Sequence, residues 1–339
     1  MLALSRILSL SIGCFMGVSS FAQLQVSNDM DAQTLVNNFL LGSGVLIDNV
    51  TVAGSAVQYG SFINGDETVS MADGMVLSSA DVTNIDPSNN GGGDVAWGDG
   101  IAGDADMLTI ANLVPGYIGQ NFNISTANDM CTLEFDFVPL ADSLSFNYAF
   151  GSDEYLEWVN SSFNDMFAFF ISGPGINGPY SAPAGFPNGA KNIAFVPGTD
   201  PELPITVSSI NDQLNAEYYI DNFANENISI DGYTTVLTAT AENLTVGETY
   251  HIRLSIADGS DTALESIVML EGGSFSCYES IGEAFGAGDL DGDSDLDVDD
   301  LLILLGDLGC EGLECIGDLD GNGIVNVLDV LMFLGLFNE

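Results

Sequence analysis

Leu133-Glu134-Phe135-Asp136-Phe137-Val138 alternates apolar and polar residues with a period of two. This period puts every second side chain on the same face of a β-strand, so the stretch predicts a strand with one buried face. Leu144 to Phe150 and Tyr250 to Ile256 alternate in the same way, whereas Met166 to Ile171 is continuously apolar, as in a strand buried on both faces. Clusters of Gly, Asn, Asp and Ser separate these short strands. Residues 23–277 are therefore predicted to form a mainly β domain, a jelly-roll-like β-sandwich.

One helix is predicted near the start of this domain, from Asp31 to Leu41. Its apolar residues fall on one face at helical spacing. They are Leu35, Val36, Phe39 and Leu40.

The charge balance of the 339 residues is extreme, with 49 acidic residues against three Lys and Arg and a formal net charge of −46. Such a chain repels phosphate backbones and anionic lipids, so nucleic acids and membrane surfaces are excluded as partners. Its self-repulsion favours bound cations or a saline surrounding.

Residues 1–22 are predicted to be a cleaved signal peptide, which indicates a secreted or cell-surface protein. Arg6 supplies the positive charge, Ile7 to Val18 form a short apolar segment, and Ser20-Phe21-Ala22 is a small-residue cleavage site. A lipoprotein signal around Cys14 is the alternative. No later segment is apolar enough to predict a membrane span.

Four cysteines follow the predicted signal peptide, and export permits disulfides between them. Cys310 and Cys315 are close in sequence and are expected to pair, which would leave Cys131 to pair with Cys277. Four cysteines allow three pairings in all, so the connectivity stays open.

A second domain, residues 288–339, is predicted after a glycine-bearing linker at 278–287, because two Asp-rich segments repeat there with a period of 29. Calcium prefers six to eight oxygen ligands, which a loop can supply from positions 1, 3, 5, 7, 9 and 12. Position 7 binds through its carbonyl oxygen, so any residue serves there. The predicted ligands of two calcium ions are Asp289, Asp291, Asp293, Asp295, Asp297 and Asp300 in the first loop, and Asp318, Asp320, Asn322, Ile324, Asn326 and Asp329 in the second.

Each predicted loop is followed by a predicted helix with an apolar stripe. Position 6 of the loop needs a sharp turn, for which Gly323 is suited and Ser294 is a departure. Gly309 is expected to end the first helix. The two stripes match position for position between the repeats, so the helices are expected to pack on each other. The stripes are Leu301, Leu304, Leu305 and Leu308, and Val330, Phe333, Leu334 and Phe337.

These two loop–helix repeats, without a helix before either loop, resemble a type I dockerin. The resemblance implies calcium binding and docking onto a cohesin-like protein. Val298 and Asp299, and then Val327 and Leu328, stand where dockerins often carry a Ser/Thr pair that contacts cohesin. The calcium role therefore carries over better than the cohesin partner.

The larger domain resembles the choice-of-anchor L domain of exported bacterial proteins over residues 24–275. The most specific stretch runs from Asn164-Asp165 to Gly173-Pro174-Gly175, while Gly151 to Tyr155 departs from the usual pattern. The resemblance implies a β-rich surface domain that is attached by differing C-terminal modules. It supplies no catalytic residues.

The sequence offers little for an enzyme. His251 is the only histidine, and its place on a strand beside Arg253 favours a structural role over a catalytic triad. A glycoside hydrolase needs only two carboxylates, which Asp153, Glu154 and Asp165 could supply. We therefore expect a non-enzymatic adhesion or interaction protein with a partner at the cell surface or in the extracellular matrix.

Two alternatives stay open. One is a dockerin-bearing, carbohydrate-active protein that degrades polysaccharides. The other is a calcium-dependent carbohydrate-binding module, in which aromatic side chains stack on sugars and a carboxylate holds a further calcium ion. The candidate aromatic residues are Trp97, Tyr155, Trp158 and Tyr180, and the candidate carboxylates are Asp104, Asp106 and Asp165.

Overall fold

The computed structural model of the protein describes residues 23–89, 100–224, 228–278, 290, 298–310, 312, 315–319 and 323–336. The predicted signal peptide lies outside the described residues, and so does the predicted linker apart from Tyr278.

The larger domain is mainly β, as predicted, and its strands form two antiparallel sheets. The first sheet holds β1 (Gln25–Ser27), β3 (Tyr59–Ile63), β4 (Asp73–Ser78), β6 (Ser143–Ser152), β9 (Tyr219–Asp221), β10 (Gly232–Thr234), β11 (Leu237–Ala241), β13 (Ser266–Glu271) and β14 (Ser276–Tyr278). The second sheet holds β2 (Val45–Ala53), β5 (Ala127–Pro139), β7 (Met166–Ser172), β8 (Lys191–Asn192) and β12 (Tyr250–Gly259).

The strand order shows which strands are central. The first sheet runs β1-β3-β4-β13-β6-β10-β9, and β11 and β14 also pair with β6. The second runs β2-β5-β12-β7-β8. The long strands β6 and β12 therefore organise one sheet each. The jelly-roll assignment is finer than this pairing and stays a prediction.

Aromatic side chains join the two sheets in a shared core. Phe146 of β6 stacks on Phe169 of β7, with ring centroids 3.8 Å apart. Phe275 meets Phe135 edge-on at 5.1 Å and Phe137 at 5.5 Å. Such large side chains dominate the apolar area that a core removes from water.

The strand predictions are confirmed. Leu133 to Val138 lies in β5, where buried and half-buried residues alternate. Tyr250, Ile252, Leu254 and Ile256 are all fully buried on one face of β12. Every residue of β7 is buried, as its continuous apolar run predicts.

The predicted N-terminal helix is confirmed as α1 (Ala32–Leu35), which continues as a π-helical turn over Val36–Leu40. Asp31 caps it by accepting a hydrogen bond from the Thr34 amide at 3.0 Å. The remaining helices are α2 (Asp66–Val69), α3 (Ala105–Tyr117), α4 (Val298–Gly306) and α5 (Val327–Leu336), with 3-10 turns at Val82–Ile85, Pro87–Asn89 and Ala216–Tyr218.

Helix α3 departs from the expectation of short strands throughout the domain. Asp104 caps its start by accepting from the Asp106 and Met107 amides, both at 3.0 Å. Met107, Ile110 and Val114 are buried. The capping residue and this helical spacing were present in the sequence, so the helix could have been predicted.

The predicted disulfide between Cys131 and Cys277 is wrong, because both thiols are free and buried. Cys131 lies on β5 opposite Ile256, whereas Cys277 lies on β14 opposite Leu144, in the other sheet. Burial raises the pKa of Cys131 to about 12 and that of Cys277 to about 11, so both act as small apolar core residues.

The shared aromatic core predicts a large cost for Phe169→Ala. Loss of the ring that stacks on Phe146 should lower the free energy of unfolding by about 3 to 5 kcal/mol. Urea denaturation at fixed calcium concentration measures this difference. The control is Phe223→Ala, because Phe223 is 67% exposed and should change stability by less than about 0.5 kcal/mol. Equal losses in the two variants would contradict the assignment of the core.

Candidate functional site

The two C-terminal repeats carry equivalent hydrogen bonds. The carboxylate of Asp300, at position 12 of the first predicted loop, accepts from the Leu290 amide at 2.6 Å. Asp329, at the same position of the second loop, accepts from the Leu319 amide at 2.9 Å. Both carboxylates are fully buried. The repeat in the sequence is therefore also a repeat of structure.

The second loop closes on its first carboxylate. Oδ2 of Asp318, at position 1, accepts from the amide of Gly323, at position 6, at 2.7 Å. Gly323 has a φ of +80°, a left-handed conformation that favours glycine. The sharp turn predicted at position 6 is confirmed.

Helix α5 begins with a reciprocal cap. Oδ1 of Asn326 accepts from the Leu328 amide at 2.9 Å, and Oδ2 of Asp329 accepts from the Asn326 amide at 2.7 Å. This arrangement is a capping box, in which two amides at the helix start are satisfied. Asn326 and Asp329 thus have a structural role in addition to the calcium role predicted for them.

The apolar stripes are confirmed in part. Leu304 and Phe333, which are equivalent residues, are buried together with Val325, and Leu301 and Val330 pack against them. Leu305, Leu308 and Leu334 are about half exposed, and Leu308 lies beyond the end of α4. Two helices of nine and ten residues bury only the inner side of so wide a stripe. Phe337 lies outside the described residues.

The predicted Cys310–Cys315 disulfide is formed. The chain around it is also tied to the second loop, because the Gly309 amide donates to the Val325 carbonyl at 2.8 Å and the Val325 amide donates to the Cys310 carbonyl at 3.0 Å. The prediction that Gly309 ends the first helix is wrong. Helix α4 ends at Gly306, and Gly309 lies in the turn that follows.

Most of the predicted calcium ligands lie outside the described residues. They are Asp289, Asp291, Asp293, Asp295, Asp297, Asp320 and Asn322. The structure describes Ile324, whose carbonyl oxygen is a predicted ligand. It also describes the side chains of Asp300, Asp318, Asn326 and Asp329. Within the described ranges, no three His, Cys, Asp or Glu side chains form a ready-made metal-binding group. The two calcium sites remain predictions.

The carboxylates of Asp104 and Asp106 hold Arg253. Its two terminal nitrogens lie 2.6 Å from Oδ2 of Asp104 and 2.7 Å from Oδ2 of Asp106. The guanidinium also lies over the ring of Phe170, 4.3 Å from its centroid. These two carboxylates share the positive charge of Arg253, which weakens the hypothesis that they hold calcium.

His251 has a structural environment. Its Nδ1 lies 2.8 Å from Oδ1 of Asp136, and its Nε2 lies 3.7 Å from Oε2 of Glu134. Burial alone would lower the pKa of His251, but the hydrogen bonds and charges of Glu134 and Asp136 outweigh burial and raise it. In return, the hydrogen bond with His251 lowers the pKa of Glu134.

The aromatic residues proposed to stack on sugars do not form one exposed platform. Tyr155 is buried, and Tyr180 packs against Phe170 with ring centroids 4.8 Å apart. Trp158 is 42% exposed and packs edge-on against Phe163 at 4.9 Å. Trp97 lies outside the described residues.

Buried carboxylates converge at one end of the two sheets. Asp153 and Glu154 directly follow β6, Asp165 directly precedes β7, Asp258 is the penultimate residue of β12, and Glu265 directly precedes β13. Each is at most 2% exposed. We call these five residues the carboxylate cluster. The sequence prediction included the first three and missed Asp258 and Glu265, each of which lies at or next to the end of a predictable apolar strand.

The carboxylate cluster links the two sheets. Oδ1 of Asp165 accepts from the Gly259 amide at 2.8 Å, and its Oδ2 accepts from the Ser266 hydroxyl at 2.7 Å. Burial, opposed in part by these two bonds, raises the pKa of Asp165 to about 8. Burial and the nearby charge of Asp165 raise the pKa of Glu154 to about 10 and that of Asp258 well above its usual value. No polysaccharide could reach carboxylates so buried, which argues against their use as a glycosidase pair.

A family model of the choice-of-anchor L domain matches residues 24–276, which is most of the chain. The chain belongs to the choice-of-anchor L family. No curated protein and no solved structure matches it. Membership in this family indicates a surface-associated bacterial protein. Among the described residues, no helix is long and apolar enough to cross a membrane.

The raised pKa of His251 predicts a pH-dependent contribution to stability. The protonated ring is stabilised in the folded state, so its contribution is complete below the unfolded pKa and is lost as pH rises through the folded pKa. His251→Gln should therefore lower the free energy of unfolding by about 1.5 to 3 kcal/mol more near pH 6 than near pH 9, the range for hydrogen bonds to charged groups. Urea denaturation at both pH values measures the cost.

The matched control is Lys191→Gln, which removes a cation from an exposed pair with Glu202 at 3.7 Å. Exposed pairs contribute little, so this variant should show a much smaller change at either pH. A cost for His251→Gln that does not depend on pH would contradict the ion-pair assignment.

Proposed function

We propose that this choice-of-anchor L protein is secreted and acts without catalysis at the bacterial cell surface, where its C-terminal module binds two calcium ions and docks onto a protein partner. The observation that carries the proposal is the equivalence of Asp300 and Asp329. These two buried carboxylates accept from equivalent amides at the same position of two Asp-rich loops.

Calcium fits the chemistry of these loops better than other metals. Their side-chain ligands are Asp and Asn, which offer the hard oxygen atoms that calcium prefers, and the module has neither His nor a free thiol. Clustered carboxylates repel one another unless a cation neutralises them. Binding and folding of the module are therefore expected to be coupled.

The docking surface is proposed on the outer sides of α4 and α5. Three exposed apolar residues of α4, at spacings of four and three, recur at the equivalent positions of α5. They are Val298, Leu302 and Leu305, and Val327, Leu331 and Leu334. Contiguous exposed apolar side chains mark sites of protein–protein interaction. A protein partner with an apolar surface, cohesin-like or otherwise, fits this face better than a glycan does.

The alternative functions have less support. A glycoside hydrolase would need open access to its carboxylates, and those of the carboxylate cluster are buried. A carbohydrate-binding module would need exposed aromatic rings, and of the three described candidates only Trp158 is substantially exposed. Binding to a glycan array in calcium, together with release of reducing sugars, would favour these alternatives over a docking protein.

The calcium proposal predicts that Asp300→Ala and Asp329→Ala each remove about one bound calcium ion per chain, because position 12 supplies a ligand to each loop. Equilibrium dialysis of the full chain measures the stoichiometry. Circular dichroism should also show helix gained between EDTA and millimolar calcium. The matched control is Asp212→Ala, which replaces an exposed Asp of the β domain. It should bind as many calcium ions as the unsubstituted chain. An unchanged stoichiometry in both loop variants would contradict the proposal.

The docking proposal predicts that Leu302→Glu with Leu331→Glu abolishes attachment to cells of the producing bacterium. These residues are 59% and 58% exposed, so the substitutions should leave the fold intact while placing charges in the proposed interface. Fluorescently labelled protein bound to cells is counted in calcium and in EDTA. Leu140→Glu, at an exposed site of the β domain, is the control and should bind normally. Equal attachment of all three proteins would exclude this face as the docking surface.

A further inference from the structure

Among the described residues, no protein cation is left to neutralise the carboxylate cluster. The sequence contains three Lys and Arg and one His, of which the structure describes Lys191, Arg253 and His251. Each of these three pairs with other carboxylates: Lys191 with Glu202, Arg253 with Asp104 and Asp106, and His251 with Asp136 and Glu134. Buried carboxylates therefore meet one another at this end of the sheets, and burial of uncompensated charge is costly.

Asp165 is at the centre of the cluster. Strands β12 and β7 are antiparallel, and Ala257 lies opposite Met166. In the same register, the next residue of β12, Asp258, lies opposite Asp165. The charge of Asp165 is also the largest electrostatic influence on both Asp258 and Glu154. Asp165 is held in place by the Gly259 amide and the Ser266 hydroxyl, so its position is fixed by both sheets.

Two buried oxygens of the cluster point to a ligand. Among the described residues, Oε2 of Glu154 and Oδ1 of Asp258 have no hydrogen-bond partner. Both residues are only 1% exposed. Buried polar atoms in folded proteins are nearly always satisfied, so an unsatisfied pair beside a third carboxylate needs a specific explanation.

We propose that a calcium ion binds between Asp165, Glu154 and Asp258 at this end of the β domain. The donors are oxygen atoms alone, which suits calcium, and calcium accepts carbonyl, hydroxyl and water oxygens beside carboxylates. No three carboxylates of the described residues form a ready-made metal-binding group. Binding of calcium therefore requires Glu154 and Asp258 to move toward Asp165, which the Gly259 amide and the Ser266 hydroxyl hold in place. Neutral oxygen atoms complete the coordination shell of the ion, and the unpaired oxygens of Glu154 and Asp258 gain a partner.

Terbium, a luminescent substitute for calcium, separates this site from the C-terminal loops. Residues 279–339 contain no Tyr or Trp, whereas Tyr155 follows Glu154 directly. Terbium emission that is excited through tyrosine and displaced by calcium is therefore expected from the β domain of the full chain. Asp300→Ala with Asp329→Ala should retain this emission, and Asp165→Asn should abolish it. Glu248→Gln is the matched control at an exposed site and should leave the emission unchanged.

Equilibrium dialysis in the Asp300→Ala, Asp329→Ala background gives the second measurement. One calcium ion per chain should remain, and Glu154→Gln should weaken its binding roughly tenfold or more. No tyrosine-excited emission and no bound calcium in this background would overturn the proposal, even where Asp165→Asn fails to fold. Failure of the proposed calcium sites in the C-terminal module would give a different result from failure of the site in the β domain. Substitution of Asp300 and Asp329 would then leave the number of bound calcium ions unchanged.

Discussion

Arg253 binds two carboxylates at once, Asp104 at 2.6 Å and Asp106 at 2.7 Å, and it is one of only three Lys and Arg residues in the sequence. This scarcity of cations, against 49 acidic residues, is the constraint under which the whole structure is built. An exposed carboxylate is hydrated by water and needs no partner. A buried one needs a hydrogen-bond donor, a proton or a metal ion.

Neutral donors meet part of this need in both domains. Asp165 is held by an amide and a hydroxyl, Glu265 accepts from the Ser78 hydroxyl at 2.5 Å, and Asp300 and Asp329 accept from amides. These donors satisfy oxygen atoms but bring no positive charge. They fix the position of a carboxylate without removing its repulsion for the next, which is the arrangement that favours a cation.

Local patterns in the sequence were enough to predict the strands. Alternation in β5 and β12 and the apolar run of β7 are properties of consecutive residues, and burial followed them. The repeat of the two Asp-rich segments placed Asp300 and Asp329 at equivalent positions, and their equivalent contacts with backbone amides agree with that repeat.

Properties that depend on distant segments were harder to predict. Cys131 and Cys277 were expected to pair because they remained after the closer pair, but nothing in the sequence tells that they belong to different sheets. The carboxylate cluster is also a product of strand order. Asp165 and Asp258 are far apart in sequence and meet only because β7 pairs with β12, and Asp153 and Glu265 meet only because β6 pairs with β13.

The two acidic regions differ in fold but pose the same electrostatic problem. In the C-terminal module, a loop of consecutive residues supplies the carboxylates, so their repulsion opposes the folding of a small core built on Leu304, Val325 and Phe333. In the β domain, the carboxylates lie at the ends of long strands, beside an aromatic core that both sheets share. If both proposals hold, calcium is therefore a condition for folding in the first region and a ligand of an already folded domain in the second. The module would respond to the calcium concentration of its surroundings, while the β domain would stay folded without it.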